Sequence, residues 1–208
     1  MIELEAAIER ILASLPPVQT EPLDLGLAHR RILVERVLSP AALPAFDNSA
    51  VDGYAVRTAD LQGASASSPV SLRLIGRVAA GETFSGEVTT GSCVRIFTGS
   101  PLPHGADAVA WQEDTVLDDA QPEVVSFLDV VKPWENIRFQ GEDIKPGAVL
   151  GEPGDILTAG RINLLAAVGV TEVCVGRRPV TGLLATGSEL LEAGQPLTPG
   201  KIHESNRR

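Results

Sequence analysis

The chain is short of lysine, cysteine and histidine, and each shortage closes off a class of function. Lys132, Lys145 and Lys201 are the only lysines in 208 residues, and the formal net charge is −10. Nucleic-acid and anionic-membrane surfaces need clustered basic residues, so neither partner is expected. A small anion needs only a few N–H groups or an arginine, and the composition leaves room for one. Cys93 and Cys174 lie far apart with no C-x-x-C pattern, which reads as two inert thiols in a cytoplasmic protein. His29, His104 and His203 share no metal-ligand or triad spacing. No run approaches the roughly 18 apolar residues of a membrane span, and the start "MIELEAAIERILASLPP" lacks the basic and unbroken apolar regions of a signal peptide. A G-x-G-x-x-G fingerprint, a P-loop and a serine nucleophile elbow are all missing.

What is present is a chain of many short elements, with 20 Gly and 15 Pro. Leu4, Ile8, Ile11, Leu12 and Leu15 recur at helical spacing before Pro16-Pro17, which predicts an amphipathic N-terminal helix. A short second helix is expected around "GLAHRRIL", passing into an extended "VERVLSP". From Phe46 to about Asp143, β-rich runs such as "GYAVR", "VSLRLIGRV", "SCVRIFTGS" and "PEVVSFLDVV" alternate with turn residues, predicting a barrel or sandwich. "GAVLGEPGDILT" reads as a hairpin, and "TAGRINLLAAVGV" as a helix with Thr158 at its N-cap and Gly169 past its end. "TEVCVGRRP" reads as a strand. "VTGLLATGSELLEAGQPL" offers a strand, a Gly turn and a helix start, the opening of a βαβ domain that breaks off after its first unit.

Four stretches carry polar groups that admit both a structural and a chemical reading. In "PAFDNSAVDGYAVR", Asp47, Asn48 and Ser49 suit Asx- and ST-turns, whereas Asp52 sits directly before the Gly53 bend. A half-buried aspartate must be hydrogen-bonded, paired or set against a hard cation. In "VRIFTGSPLPHGADAV", Thr98 and Ser100 flank Gly99 at a strand end, either as a plain turn or as an anion-binding concavity. "NIRFQGEDIKPG" sets Arg138 against Glu142 and Asp143, as a surface salt bridge or as an anion contact beside an acid that orients a cation or water. "ATGSELL" has the Thr186-to-Glu189 spacing of a capping box, which is also where open α/β sheets bind ligands.

The order and separation of "PAFDNSAVDGYAVR", "VRIFTGSPLPHGADAV", "NIRFQGEDI" and "LLATGSELL…GKIHESN" resemble the molybdopterin molybdenumtransferase family, the MoeA type related to the C-terminal region of gephyrin. The resemblance runs from about Leu23 to Asn206. It implies a cytoplasmic, homodimeric enzyme of molybdenum cofactor biosynthesis, with the molybdopterin adenylyltransferase as a further partner. Molybdate would be inserted into adenylylated molybdopterin with release of AMP, and Mg2+ would be the cofactor. Carried over by position, the catalytic residues would be Asp52, Thr98, Asp143 and Glu189, and the substrate-binding residues Ser100, Arg138 and Ser188. Asp52 and Asp143 are candidate Mg2+ ligands.

Two positions depart from the family pattern: Val51 stands where Met is usual, and Ser188 where Asp is frequent. The expected fold is mixed α/β and multi-domain. An N-terminal helix (1–22) precedes a small discontinuous α+β domain I (23–43 and 144–178). A β-rich domain II, a barrel or sandwich, is inserted at 44–143, and a truncated α/β domain III starts at 179–208. Such a chain is expected to be inactive alone; the alternative is a non-catalytic dimerisation, scaffold or ligand-binding module.

Overall fold

A computed structural model describes residues 2–118 and 120–207. In chain order it contains α1 (Leu4–Ser14), β1 (Thr20–Asp24), a 3-10 turn (Leu25–Leu27), β2 (Val37–Leu38), β3 (Asn48–Ser49), β4 (Gly53–Val56), β5 (Val70–Val78) and β6 (Ser92–Ile96). There follow β7 (Ala108–Trp111), β8 (Thr115–Asp118), β9 (Gln121–Phe127), β10 (Ile137–Arg138), β11 (Val149–Gly151), α2 (Ala159–Ala167), β12 (Glu172–Gly176), β13 (Leu190–Leu191) and β14 (Ile202–His203). The fold is therefore mixed α/β and mostly strand. Pro22–Val175 make one compact unit, and the residues before and after it make a second.

The larger unit is organised by a six-stranded sheet in the order β7-β4-β6-β5-β9-β8. Side chains alternate across a strand, so its two faces can be read from register. Ala55, Val94, Ile96 and Val109 pack on one face, while Tyr54, Val56, Cys93, Ala108 and Ala110 pack on the other. Both faces are covered at the centre, and the central strands read as nearly continuous apolar runs for that reason. The edge strands β7 and β8 are separated only by Gln112–Asp114. Two edges joined by three residues must come together, so the sheet curls into a half-barrel rather than lying flat. Phe127 and Val125 of β9 fill its interior with Tyr54, whose ring meets that of Phe127 edge-on at 5.8 Å.

A separate cluster joins Leu25, Ala28, Leu33, Leu150, Leu157, Leu165, Val168, Val173 and Val175. Here α2 forms as its sequence predicts. The Thr158 hydroxyl accepts from the Arg161 N–H at 3.3 Å, and Gly169 follows the helix at φ 88°. Two expectations differ in this region. The helix expected around "GLAHRRIL" is only the 3-10 turn Leu25–Leu27, after which Ile32 and Leu33 bridge to Ile156 and Val175. Distant pairing partners draw this stretch into extended backbone. Nor does "GAVLGEPGDILT" close on itself as a hairpin: β11 pairs antiparallel with β2, more than a hundred residues earlier.

In the smaller unit α1 ends before Pro16-Pro17 as expected, and none of its residues is buried. The helix expected after Thr186 does not form. Only Glu189–Ala193 precede Gly194 and Pro196, too short a run to nucleate without packing. Leu190–Leu191 instead pair in parallel with Ile202–His203.

Candidate functional site

The bend from Pro44 to Gly53 is held by its own polar side chains. Asn48 Nδ2 donates to the Phe46 carbonyl at 3.0 Å, and the Ser49 hydroxyl donates to the Val51 carbonyl at 2.6 Å. Asp47 Oδ1 accepts from the Gln140 N–H at 2.7 Å. Asn48 and Ser49 are thus occupied in local structure, whereas Asp47 is tied to a distant loop and closes no Asx-turn. Main-chain bonds then fasten the bend to the "TGSP" turn: Ser49 N–H donates to Ser100 O at 3.0 Å and Gly99 N–H to Ser49 O at 2.8 Å. Gly99 has φ 80°, in the region that glycine adopts without steric cost.

Asp52 is placed by this clamp. Its Oδ1 accepts from both the N–H and the hydroxyl of Thr98, each at 2.8 Å. Oδ2 makes no hydrogen bond among the described residues. The Thr98 N–H, then its hydroxyl, hold the carboxyl below its ordinary pKa of 3.8; partial desolvation opposes this and Arg95 adds to it. Asp52 is thus a half-buried carboxylate with one oxygen fixed and one free. Gly53 beneath it is obligatory, because a Cβ there would lie 2.0 Å from the Ala110 carbonyl oxygen.

Arg138 and Asp143 form a second arrangement in the same unit. The β10–β3 ladder sets Arg138 opposite Asn48 and Ile137 opposite Ser49. Asn136, in left-handed backbone at φ 59°, accepts the Ala50 N–H at 2.9 Å and donates through Nδ2 to Val109 O at 2.8 Å. Arg138 Nη2 donates to both Asp143 oxygens at 2.7 Å, and its Nε lies 3.6 Å from Glu142. Asp143 raises the Arg138 pKa still further. The guanidinium is therefore already committed to two carboxylates.

The remaining sequence-predicted residues are placed differently. Ser100 is fully buried, and its hydroxyl has no hydrogen-bond partner. Ser188 and Glu189 belong to the smaller unit. There the Ser188 carbonyl accepts from Lys201 Nζ, and the Glu189 carbonyl accepts from Ile202 N–H at 2.9 Å. Among the described residues, no three His, Cys, Asp or Glu side chains converge as a metal site.

Sequence reasoning missed Arg95, Arg77 and Phe97. Arg95 lies over the rings of Tyr54 and Phe97, 4.9 Å from each centroid, and Arg77 lies 5.1 Å from that of Phe97. Arg95 donates to Gly53 O at 3.3 Å and to the Gln112 side-chain oxygen. A signal was available: in "SCVRIFTG" period-two alternation puts Cys93, Arg95 and Phe97 on one face, an arginine where an interior strand should be apolar.

Residues 2–169 match the family model described as the MoeA N-terminal region, domains I and II. The chain is 43% identical over 208 residues to the molybdopterin molybdenumtransferase of Haemophilus influenzae, covering all of this chain and 50% of that protein. It is 37% identical to the enzyme of the same name from Bacillus subtilis, covering 99% of this chain and 48% of that protein. A crystal structure of the molybdopterin biosynthesis MoeA protein of Pyrococcus horikoshii superposes with a TM-score of 0.83 at 34% identity, over 99% of this chain and 52% of that one. The chain thus spans about half the length of the curated relatives it matches.

Proposed function

This chain belongs to the MoeA family, and on that premise we propose that it contributes domains I and II of a molybdopterin molybdenumtransferase. The proposed reaction inserts molybdate into adenylylated molybdopterin with release of AMP, dependent on Mg2+. The observation that carries this reading is Asp52, whose Oδ1 is fixed by two donors from Thr98 while Oδ2 stays free.

Magnesium takes hard oxygen donors, keeps several waters and is commonly held by one or two carboxylates together with substrate phosphates. Asp52 fits that chemistry, since Thr98 fixes Oδ1 and leaves Oδ2 free as a hard oxygen donor. Asp143 fits only after Arg138 releases it. When bound, the ion would neutralise charge developing on the phosphate oxygens. The substrates are themselves anions, and two like charges about 4 Å apart repel by about 4 kcal/mol at an effective dielectric of about 20. Asp52, Asp143 and Glu189 are therefore assigned to the cation or to the attacking oxygen, not to molybdate or the phosphates. Thr98 positions Asp52, Arg138 and Ser188 are assigned to substrate, and Ser100 reaches substrate only if the turn that buries it opens.

The same reading assigns 23–43 with 144–178 to domain I, 44–143 to domain II, and residues from 179 onward to domain III. Separate cores support it: one draws on residues 23–43 and 144–175, the other two on 51–137. A homodimer acting in the cytoplasm, served by the adenylyltransferase that makes its substrate, completes the proposal. Residues 1–208 alone should not turn over, because they span only about half the length of the relatives that carry the named activity. The test is AMP release from adenylylated molybdopterin, at graded magnesium, by the enzyme carrying Asp52→Asn. Turnover should fall by roughly 100-fold or more; unchanged turnover with unchanged magnesium dependence would contradict the assignment.

A further inference from the structure

A site for anionic substrates needs positive charge, and the groups named so far in the larger unit supply little. Arg138 is held by Asp143 and Glu142. Both donors of Thr98 are directed to Asp52, and the Ser100 hydroxyl is buried. The positive charge that remains to act on Asp52 is that of Arg95, and Arg77 is the neighbour of Arg95 on the adjacent strand.

These two arginines face each other directly across the parallel β5–β6 pair. Both rest over the ring of Phe97. Like charges directly opposite on paired strands repel, so such a pair is unfavourable unless something compensates it. Neither makes an ion pair among the described residues, although the protein carries a net charge of −10. Arg95 spends two donors on Gly53 O and Gln112, which fixes its guanidinium in plane and leaves further N–H groups. It also lines an open cleft of about 400 Å³ with Tyr54, Leu74, Gln112, Thr115 and Leu117, from strands that meet where the half-barrel curls. The mouths of barrels are favoured ligand sites. Phe97 fixes both side chains while leaving their edges open to an acceptor.

We propose that Arg77 and Arg95, set over Phe97 at the Asp52 end of the half-barrel, form a subsite for a tetrahedral oxyanion. This rests on the reading of the Asp52 site given above, and identifies the residues that offset substrate charge there. Two substrates share that chemistry, molybdate and the phosphate of the adenylylated pterin. Arginine pairs match the oxygen geometry of both.

The experiment is calorimetric titration of the protein with sodium molybdate and, separately, with AMP, for wild type, Arg77→Gln, Arg95→Gln and Arg73→Gln. Arg73 is an exposed arginine on the same strand, outside the Phe97 cluster. Loss of a charged contact should weaken one of the two probes by about tenfold in Arg77→Gln and Arg95→Gln. Arg73→Gln should bind within about twofold of wild type. The probe that weakens identifies the source of the oxyanion. Arg77 is exposed, so its variant remains a valid test if Arg95→Gln fails to fold. The subsite is overturned if wild type binds neither probe saturably, or if Arg77→Gln binds both within about twofold of wild type. Magnesium-dependent turnover, lost in Asp52→Asn, is read in parallel with the full-length enzyme carrying the same substitutions: if it persists in Arg77→Gln with unchanged KM, only the subsite fails and the Asp52 assignment stands.

Discussion

Asp52 and Asp143 are the same side chain in the same unit, held in opposite ways. Asp52 is fixed by neutral donors, an N–H and a hydroxyl, on a single oxygen. Asp143 is fixed by a guanidinium that bridges both its oxygens. Neutral donors stabilise the carboxylate but leave its charge in place, whereas an arginine cancels it. The difference separates a group ready for a cation from one that must first be released. Proximity to a conspicuous arginine is therefore a poor guide to which acid is available.

The most severe way to break this contrast is to remove the bend that presents Asp52. Gly53→Ala would drive a methyl group into the Ala110 carbonyl 2.0 Å away, so β4 and β7 must separate. We expect a loss of at least about 3 kcal/mol in urea unfolding, the range of severe core disruptions. A loss below about 1 kcal/mol would mean the bend is not constrained in this way.

A subtler change sharpens the contrast. Thr98→Val removes the hydroxyl donor and keeps the N–H, so the Asp52 pKa should move up toward 3.8. The sign follows from linkage. A carboxyl whose folded pKa is depressed stabilises the fold above its unfolded pKa, and that stability is lost as pH falls through the folded value. Thr98→Val should therefore shrink the drop in stability seen on acidification below about pH 4. Carbon-detected NMR titration of the Asp52 carboxyl checks the shift, and an unchanged Asp52 pKa would contradict it.

The smallest expected effect is at Ser100, whose hydroxyl is buried without a partner. An unsatisfied buried hydroxyl costs stability, so Ser100→Ala should be neutral or up to about 1 kcal/mol more stable by thermal unfolding. A clear destabilisation would reveal a partner for that hydroxyl and a tighter role for the turn.

Local signals in the sequence were legible wherever the structure depends on neighbours. The Thr158 cap and Gly169 stop of α2, the end of α1 at Pro16-Pro17, and the turn chemistry of Asn48 and Ser49 all follow from adjacent residues, whereas Asp47 accepts from distant Gln140 instead of closing an Asx-turn. Features set by distant pairing were not. Nothing near Val149 announces that its partner is Leu38, and nothing in "GLAHRRIL" announces the bridges at Ile32 and Leu33 that replace a helix. The capping-box spacing at Thr186 did not become a helix because Gly194 and Pro196 leave too short a run. In the site, the salt bridge of Arg138 with Glu142 and Asp143, all within five residues, was one of the two readings its local sequence offered. That Arg95 serves Gly53 and Gln112 depends on three-dimensional neighbours.

The contrast between the two aspartates can be measured directly. Magnesium chloride would be titrated into the protein while the carboxyl carbons of Asp52 and Asp143 are followed together by NMR, with Asp52→Asn as the reference. The account predicts a saturable shift at Asp52, none at Asp143, and no saturable binding in Asp52→Asn. A shift at Asp143 with Asp52 unmoved, or equal binding by Asp52→Asn, would contradict it.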